Sequence, residues 1–99
     1  MMTENFETVS NNGVIRVSAR SSPKNLAGLL VSVLRERNKA EMHTIGASAL
    51  NQATKAIAIA RGIVAPNGMD LTCSPSFIDL VIEGEDKTGI RLVVQYRED

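Results

Sequence analysis

Arg20, Ser21, Ser22, Lys24 and Asn25 crowd around Pro23, and Asn51, Gln52 and Lys55 follow a glycine at position 46. The set holds cations, hydroxyls and amides and contains no carboxylate. Such groups bind anions: charged and polar side chains contact phosphate oxygens, and a helix start adds backbone N–H groups that lack intrahelical partners. Both stretches read as helix starts. The eight residues are therefore expected to share one face suited to an anion. The plainer reading of the same residues is helix capping plus solvated charge.

Other chemistry finds less support. His43 is the sole histidine and has no Cys or Asp/Glu cluster at ligand spacing, so a surface or satisfied strand histidine is expected rather than a metal ligand. Cys73 has no histidine partner recognisable in sequence and reads as a small buried apolar residue. Ile45-Gly46-Ala47 lacks the repeated glycines and the following acid of a dinucleotide fingerprint. Glu83, Glu85 and Asp86 fall on a predicted hairpin tip, where they aid solubility and discourage edge pairing. No nucleophile, base and orienting group come together, so neither an enzyme nor a cofactor or metal is predicted.

The chain has 99 residues, enough for one domain with one modest core. Its three aromatics, Phe6, Phe77 and Tyr96, are too few for a platform that stacks several bases. Net charge is zero, but its distribution is uneven. Residues 14–61 hold eight basic residues against two acids, +6, whereas residues 62–99 carry −4 and residues 1–13 carry −2. Such asymmetry marks a binding face or ordinary solvated surface. One cysteine cannot form an internal disulfide and fits a reducing compartment. No basic region followed by an apolar run opens the chain, and the longest apolar run, 56–60, is far too short to span a bilayer. A soluble, cytoplasmic protein with no membrane contact is expected.

The elements that must position the site follow from periodicity. Residues 1–13 read as a flexible polar tail and 14–97 as a single domain. Val14 to Ala19 is a first strand with Ile15, Val17 and Ala19 inward. Ser22 caps a first helix with Pro23 as its first residue. Its buried stripe is Leu26, Leu29, Leu30, Val33 and Leu34, and Asn38 stops it. Ala40 to Ile45 is a second strand, with Met42 inward. The second helix, over 45–62 and ending near Val64, organises the chain. Ser48 is its expected cap. Leu50, Ala53, Ile57, Ala60 and Val64 form its stripe, and Ala49, Ala56, Ile59 and Ile63 add apolar surface beside it. Apolar on so many sides, it should lie on the sheet and against a second copy. Met69 to Cys73 and Phe77 to Ile82 are strand-like, with Ser74-Pro75-Ser76 as an interruption or bulge. After a tip at 84–87, Thr88 to Tyr96 forms the last strand, with Ile90, Leu92, Val94 and Tyr96 on one face. The order β-α-β-α-β-β gives an α+β two-layer sandwich, two helices on one face of a four-stranded sheet.

At SARSSPKNLAGLLVSVLRER, IGASALNQATKAIAIARG and VAPNGMDLTCSPSF the chain resembles the stage V sporulation protein S family over about residues 14–97. The resemblance implies an Alba-like fold, at least a dimer, and a regulator in bacterial development with nucleic-acid binding inferred. In Alba chromatin proteins lysines precede the proline of the first loop. Here Ser21 and Ser22 hold those positions, and the charge sits at Arg20 and Lys24. Alba proteins also carry basic residues after the glycine that opens helix two, where this chain has Ala47-Ser48-Ala49 and then Asn51, Gln52 and Lys55. The tip at 83–86 is short and acidic where Alba arms are long, so weaker or RNA-directed contact fits better than tight DNA coating. The leading expectation is a non-enzymatic, nucleic-acid-binding homodimer, open to higher oligomers. The alternative is a protein-interaction or scaffold module that does not bind nucleic acid.

Overall fold

The structure is a computed structural model and describes residues 12–98. The element order is β1 (Val14–Val17), α1 (Pro23–Arg37), β2 (Lys39–Thr44), α2 (Ala47–Val64), a 3-10 turn (Ala65–Asn67), β3 (Leu71–Ile82) and β4 (Glu85–Tyr96). The strands form one sheet in the order β1-β2-β4-β3, with β1 parallel to β2 and the other pairs antiparallel. This is the expected α+β architecture. The tail expected over 1–13 lies outside the described residues except for Asn12 and Gly13, and the Gly13 carbonyl accepts the Glu41 N–H at 3.3 Å.

Local chemistry explains the first helix. Ser22 accepts the Asn25 N–H at its N-cap, Pro23 occupies the first turn, and Arg35 and Arg37 sit in the last turn beside the helix's negative end. Asn38 closes it in the left-handed conformation at φ 68°, donating its N–H to Leu34 O. Leu26, Leu30 and Leu34 are fully buried, whereas Leu29 is half-buried.

The second helix buries three residues of the predicted stripe, Ala53, Ala60 and Val64, but Ala49 and Ala56 take the places expected for Leu50 and Ile57. Ala49, Ala53, Ala56, Ala60 and Val64 face the core, Leu50 and Ile57 lie half-buried on the flank, and Ile59 and Ile63 are exposed. Alanines let α2 sit close to α1 and the sheet, so the larger side chains are turned aside. Ala56→Leu is expected to overpack this contact and cost about 1–3 kcal/mol in a urea unfolding titration. A loss under about 0.5 kcal/mol would mean the helices can spread apart.

Alternation sets the two faces of the sheet. Ile15, Val17, Met42, Leu92 and Val94 are buried toward the helices, and Arg16 and Gln95 are exposed on the opposite, uncovered face. Ala19, expected inward, is exposed, because it lies past the end of its strand, and Ile45, just past the end of β2, is exposed too.

The hairpin departs most from expectation. Pro75 does not interrupt β3, which runs unbroken for 12 residues. β3 is an edge strand, and half of an edge strand's N–H groups have no partner to lose. Cys73, expected buried, is exposed on that edge. The turn is the pair Glu83-Gly84, both at positive φ, and β4 already begins at Glu85. β2 pairs with β4 only over 90–95, so five residue pairs, Ile78↔Gly89 to Ile82↔Glu85, run on past it. They form a two-stranded arm about 17 Å long. The tip is acidic as expected, but the hairpin is long.

Asp70 clasps the far end of the fold. Its carboxylate accepts two hydrogen bonds from Arg61, at 2.8 and 3.1 Å, and the Leu71 N–H at 2.8 Å, with Arg97 at 3.6 Å. The hydrogen bonds from Arg61, then that from Leu71, hold its carboxyl down at about 2. A lowered folded-state pKa stabilises above the unfolded carboxylate range and is lost as pH falls through the folded value. Acid titration of stability should therefore show a component that is full above about pH 4 and disappears toward pH 2. Asp70→Asn should abolish that component, and an unchanged acid profile would contradict the clasp.

Candidate nucleic-acid interface

Topology brings the two helix starts to one end of the molecule. β1 and β2 are parallel and each leads directly into a helix, so both junctions leave the same edge of the sheet. Thr44, the last residue of β2, pairs with Ile90, so the arm also projects from this end.

The first junction is built from serines. Ser18 to Ser21 close a turn: the Ser21 N–H donates to Ser18 O at 3.1 Å, and the Ser18 N–H donates to Ser21 Oγ at 2.9 Å. The Arg20 N–H donates to Ser18 Oγ at 3.1 Å, so the turn presents Arg20 to solvent. Ser21 is fully buried. Its carbonyl accepts Gln52 Nε2 at 2.8 Å across 31 residues of sequence. That bond ties the first junction to the second turn of α2.

The predicted residues thus divide by role. Ser21 and Gln52 spend polar atoms on each other, and Ser22 caps α1. Arg20, Lys24, Asn25, Asn51 and Lys55 are exposed, and none of the three cations has an acid partner among the described residues. The second junction differs from prediction: Ser48 does not cap α2. Gly46 holds the cap position at φ 90° and ψ 159°, a conformation essentially confined to glycine, and makes no side-chain cap bond. Ser48 already lies inside the helix.

The structure also limits the charge argument. Arg35, Arg37 and Arg61 lie in the last turns of their helices, and Lys39 starts β2, so these four belong to the opposite end. Arg16, Arg20 and Lys24 remain toward the helix starts, and Lys55 lies halfway along α2, one turn beyond Gln52. The arm beside them carries Asp79, Glu83, Glu85 and Asp86 against Lys87, whose ammonium is 3.2 Å from Glu85. Sequence reasoning did not find Ser18. Its signal was the Ser-x-x-Ser spacing before a Pro-led helix, a pattern of locally bonded hydroxyls.

His43 is satisfied, with Nε2 3.0 Å from Glu41 Oε1. Among the described residues, no three His, Cys, Asp or Glu side chains gather to hold a metal. No helix among them is long and apolar enough to cross a membrane.

A model of the family described as Stage V sporulation protein S (SpoVS) matches residues 13–97. The chain belongs to that family. As a SpoVS protein it is a sporulation regulatory protein, and the matched segment contains both helix starts, the turn at Ser18–Ser21 and the whole arm.

Proposed function

We propose that this SpoVS protein is a non-enzymatic cytoplasmic regulator that binds nucleic acid, as a homodimer, through the joined helix starts. The observation that carries the reading is the Gln52–Ser21 bond. It fastens two helix starts side by side, next to Arg20, Lys24 and Lys55, which have no acid partner among the described residues. Phosphate oxygens are the complementary groups. The acidic arm repels a polyanion, so contact is confined to the helix-start side and is weaker than a general coating.

The dimer reading rests on apolar surface left open in one copy. Ile59 and Ile63 of α2 are 39% and 40% exposed, and Phe77 and Val81 of β3 are 78% and 68% exposed. A second copy covers such surface and doubles the number of cations facing the ligand.

Three cations from each copy make about six phosphate contacts, for which affinity to duplex DNA falls about a thousandfold between 50 and 200 mM salt. Fluorescence anisotropy with duplex DNA and with single-stranded RNA across that range tests this. Absence of binding at low salt by folded protein would refute it. The exposed Phe77 and Val81 fit a scaffold module as well, and that result, joined to concentration-dependent association, would support it.

A further inference from the structure

A second concave site lies on the helix-free side of the sheet, where the arm passes the ends of β1 and β2. The cleft has a volume of about 320 Å³, toward the lower end of the roughly 300–1,000 Å³ range of small-molecule sites. Arg16, Ser18 and His43 line it from the first two strands and the turn that follows β1, Ile45 from the β2–α2 junction, and Leu80 and Ile82 from the arm. Arg16 is exposed and has no acid partner among the described residues. His43 Nε2 is engaged by Glu41 Oε1 at 3.0 Å, so the charged donor left for an anion is Arg16.

We propose that this cleft binds a small amphipathic anion, a carboxylate or phosphate carried on an apolar body. The anionic head sits at Arg16, and the body packs against Ile45, Leu80 and Ile82. The walls carry the assignment: the arm contributes only the apolar Leu80 and Ile82, whereas the strand side brings the one cation, Arg16, with Ser18 and His43 beside the apolar Val17 and Ala19. An extended polyanion fits poorly, since the acids at 83, 85 and 86 lie just beyond Ile82 and no aromatic lines the cleft to stack a base. A short anion avoids both by placing its single charge away from the tip. This site is separate from the joined helix starts and stands whether or not those bind nucleic acid.

Isothermal titration calorimetry of the full chain with hexanoate, hexyl phosphate and hexanol tests the proposal. Both anions, or one of them, should bind saturably, and hexanol at least tenfold more weakly. The tighter of the two anions identifies the head group. Arg16→Ala should weaken the anion about tenfold, the loss of one charge-assisted contact. Leu80→Thr keeps a strand-favouring residue while removing apolar wall, and should weaken it too. Thermal unfolding of both variants checks that the fold is intact. Equal binding of hexanol, anion affinity indifferent to Arg16→Ala, or no binding by either anion would overturn the assignment.

Discussion

Gly89→Ala should cost about 3 kcal/mol or prevent folding, the largest loss expected from adding a single methyl group to this chain. Gly89 is buried at the point where β4 leaves β2 and becomes the arm. A Cβ there would overlap the Thr44 carbonyl oxygen and lie 3.2 Å from Ile45 Cγ1. The obstacle is backbone and cannot swing aside. Thr44 is itself fixed, since it pairs with Ile90 in the ladder and its Oγ1 donates to Ile90 O at 3.1 Å. Relief requires β2 and β4 to part at the edge that sets both helix starts. Gly62→Ala is the matched control. That glycine lies within α2 with open space around it, so alanine should stabilise by about 0.5–1 kcal/mol. Urea unfolding of both variants gives opposite signs if the close approach is as described. A neutral Gly89→Ala would contradict it.

Arg20→Ala/Lys24→Ala should leave stability within about 0.5 kcal/mol, because both side chains are exposed and hold no structural partner among the described residues. The same pair should weaken nucleic-acid binding about a hundredfold or more at low salt. The salt dependence separates lost contacts from lost shape. About six phosphate contacts in a dimer give a slope of log K against log salt near −5 on duplex DNA, and removing four brings it to about −2. Lower affinity with an unchanged slope would place the phosphate contacts elsewhere. Gln52→Ala supplies the complement: it removes no charge, but it unties the two helix starts and leaves the Ser21 carbonyl unpaired.

Much of this was legible in the sequence, for identifiable reasons. The first helix was read from cap to stop because Ser22, Pro23 and Asn38 act through local backbone chemistry that depends on nothing distant. The strand faces followed from alternation. Two positions of the buried stripe of α2, Leu50 and Ile57, were misjudged because leucine and isoleucine outrank alanine in hydrophobicity, whereas close helix packing selects the smaller residue. Pro75 suggested a break because its tolerance depends on edge position, which only the strand order β1-β2-β4-β3 reveals. The arm's length was hidden for a related reason, since it depends on where β2 ends beside β4.

The candidate site was half legible. Its residue types and their grouping at two helix starts could be read, as could the cap at Ser22. The Gln52–Ser21 bond spans 31 residues, and no local pattern announces it. The scattering of the first-half charge to both ends was equally hidden, because helix direction carries Arg35, Arg37 and Arg61 away from Arg20 and Lys24.

The most direct measurement is amide chemical-shift mapping of the full chain during titration with a short duplex DNA and a single-stranded RNA at low salt. Saturating shifts at Arg20, Lys24, Asn25, Asn51 and Lys55, with the acidic arm at 83–86 unmoved, are the predicted result. Shifts centred on the arm or on the opposite end near Arg35 and Lys39, or none at all, would contradict an interface at the joined helix starts.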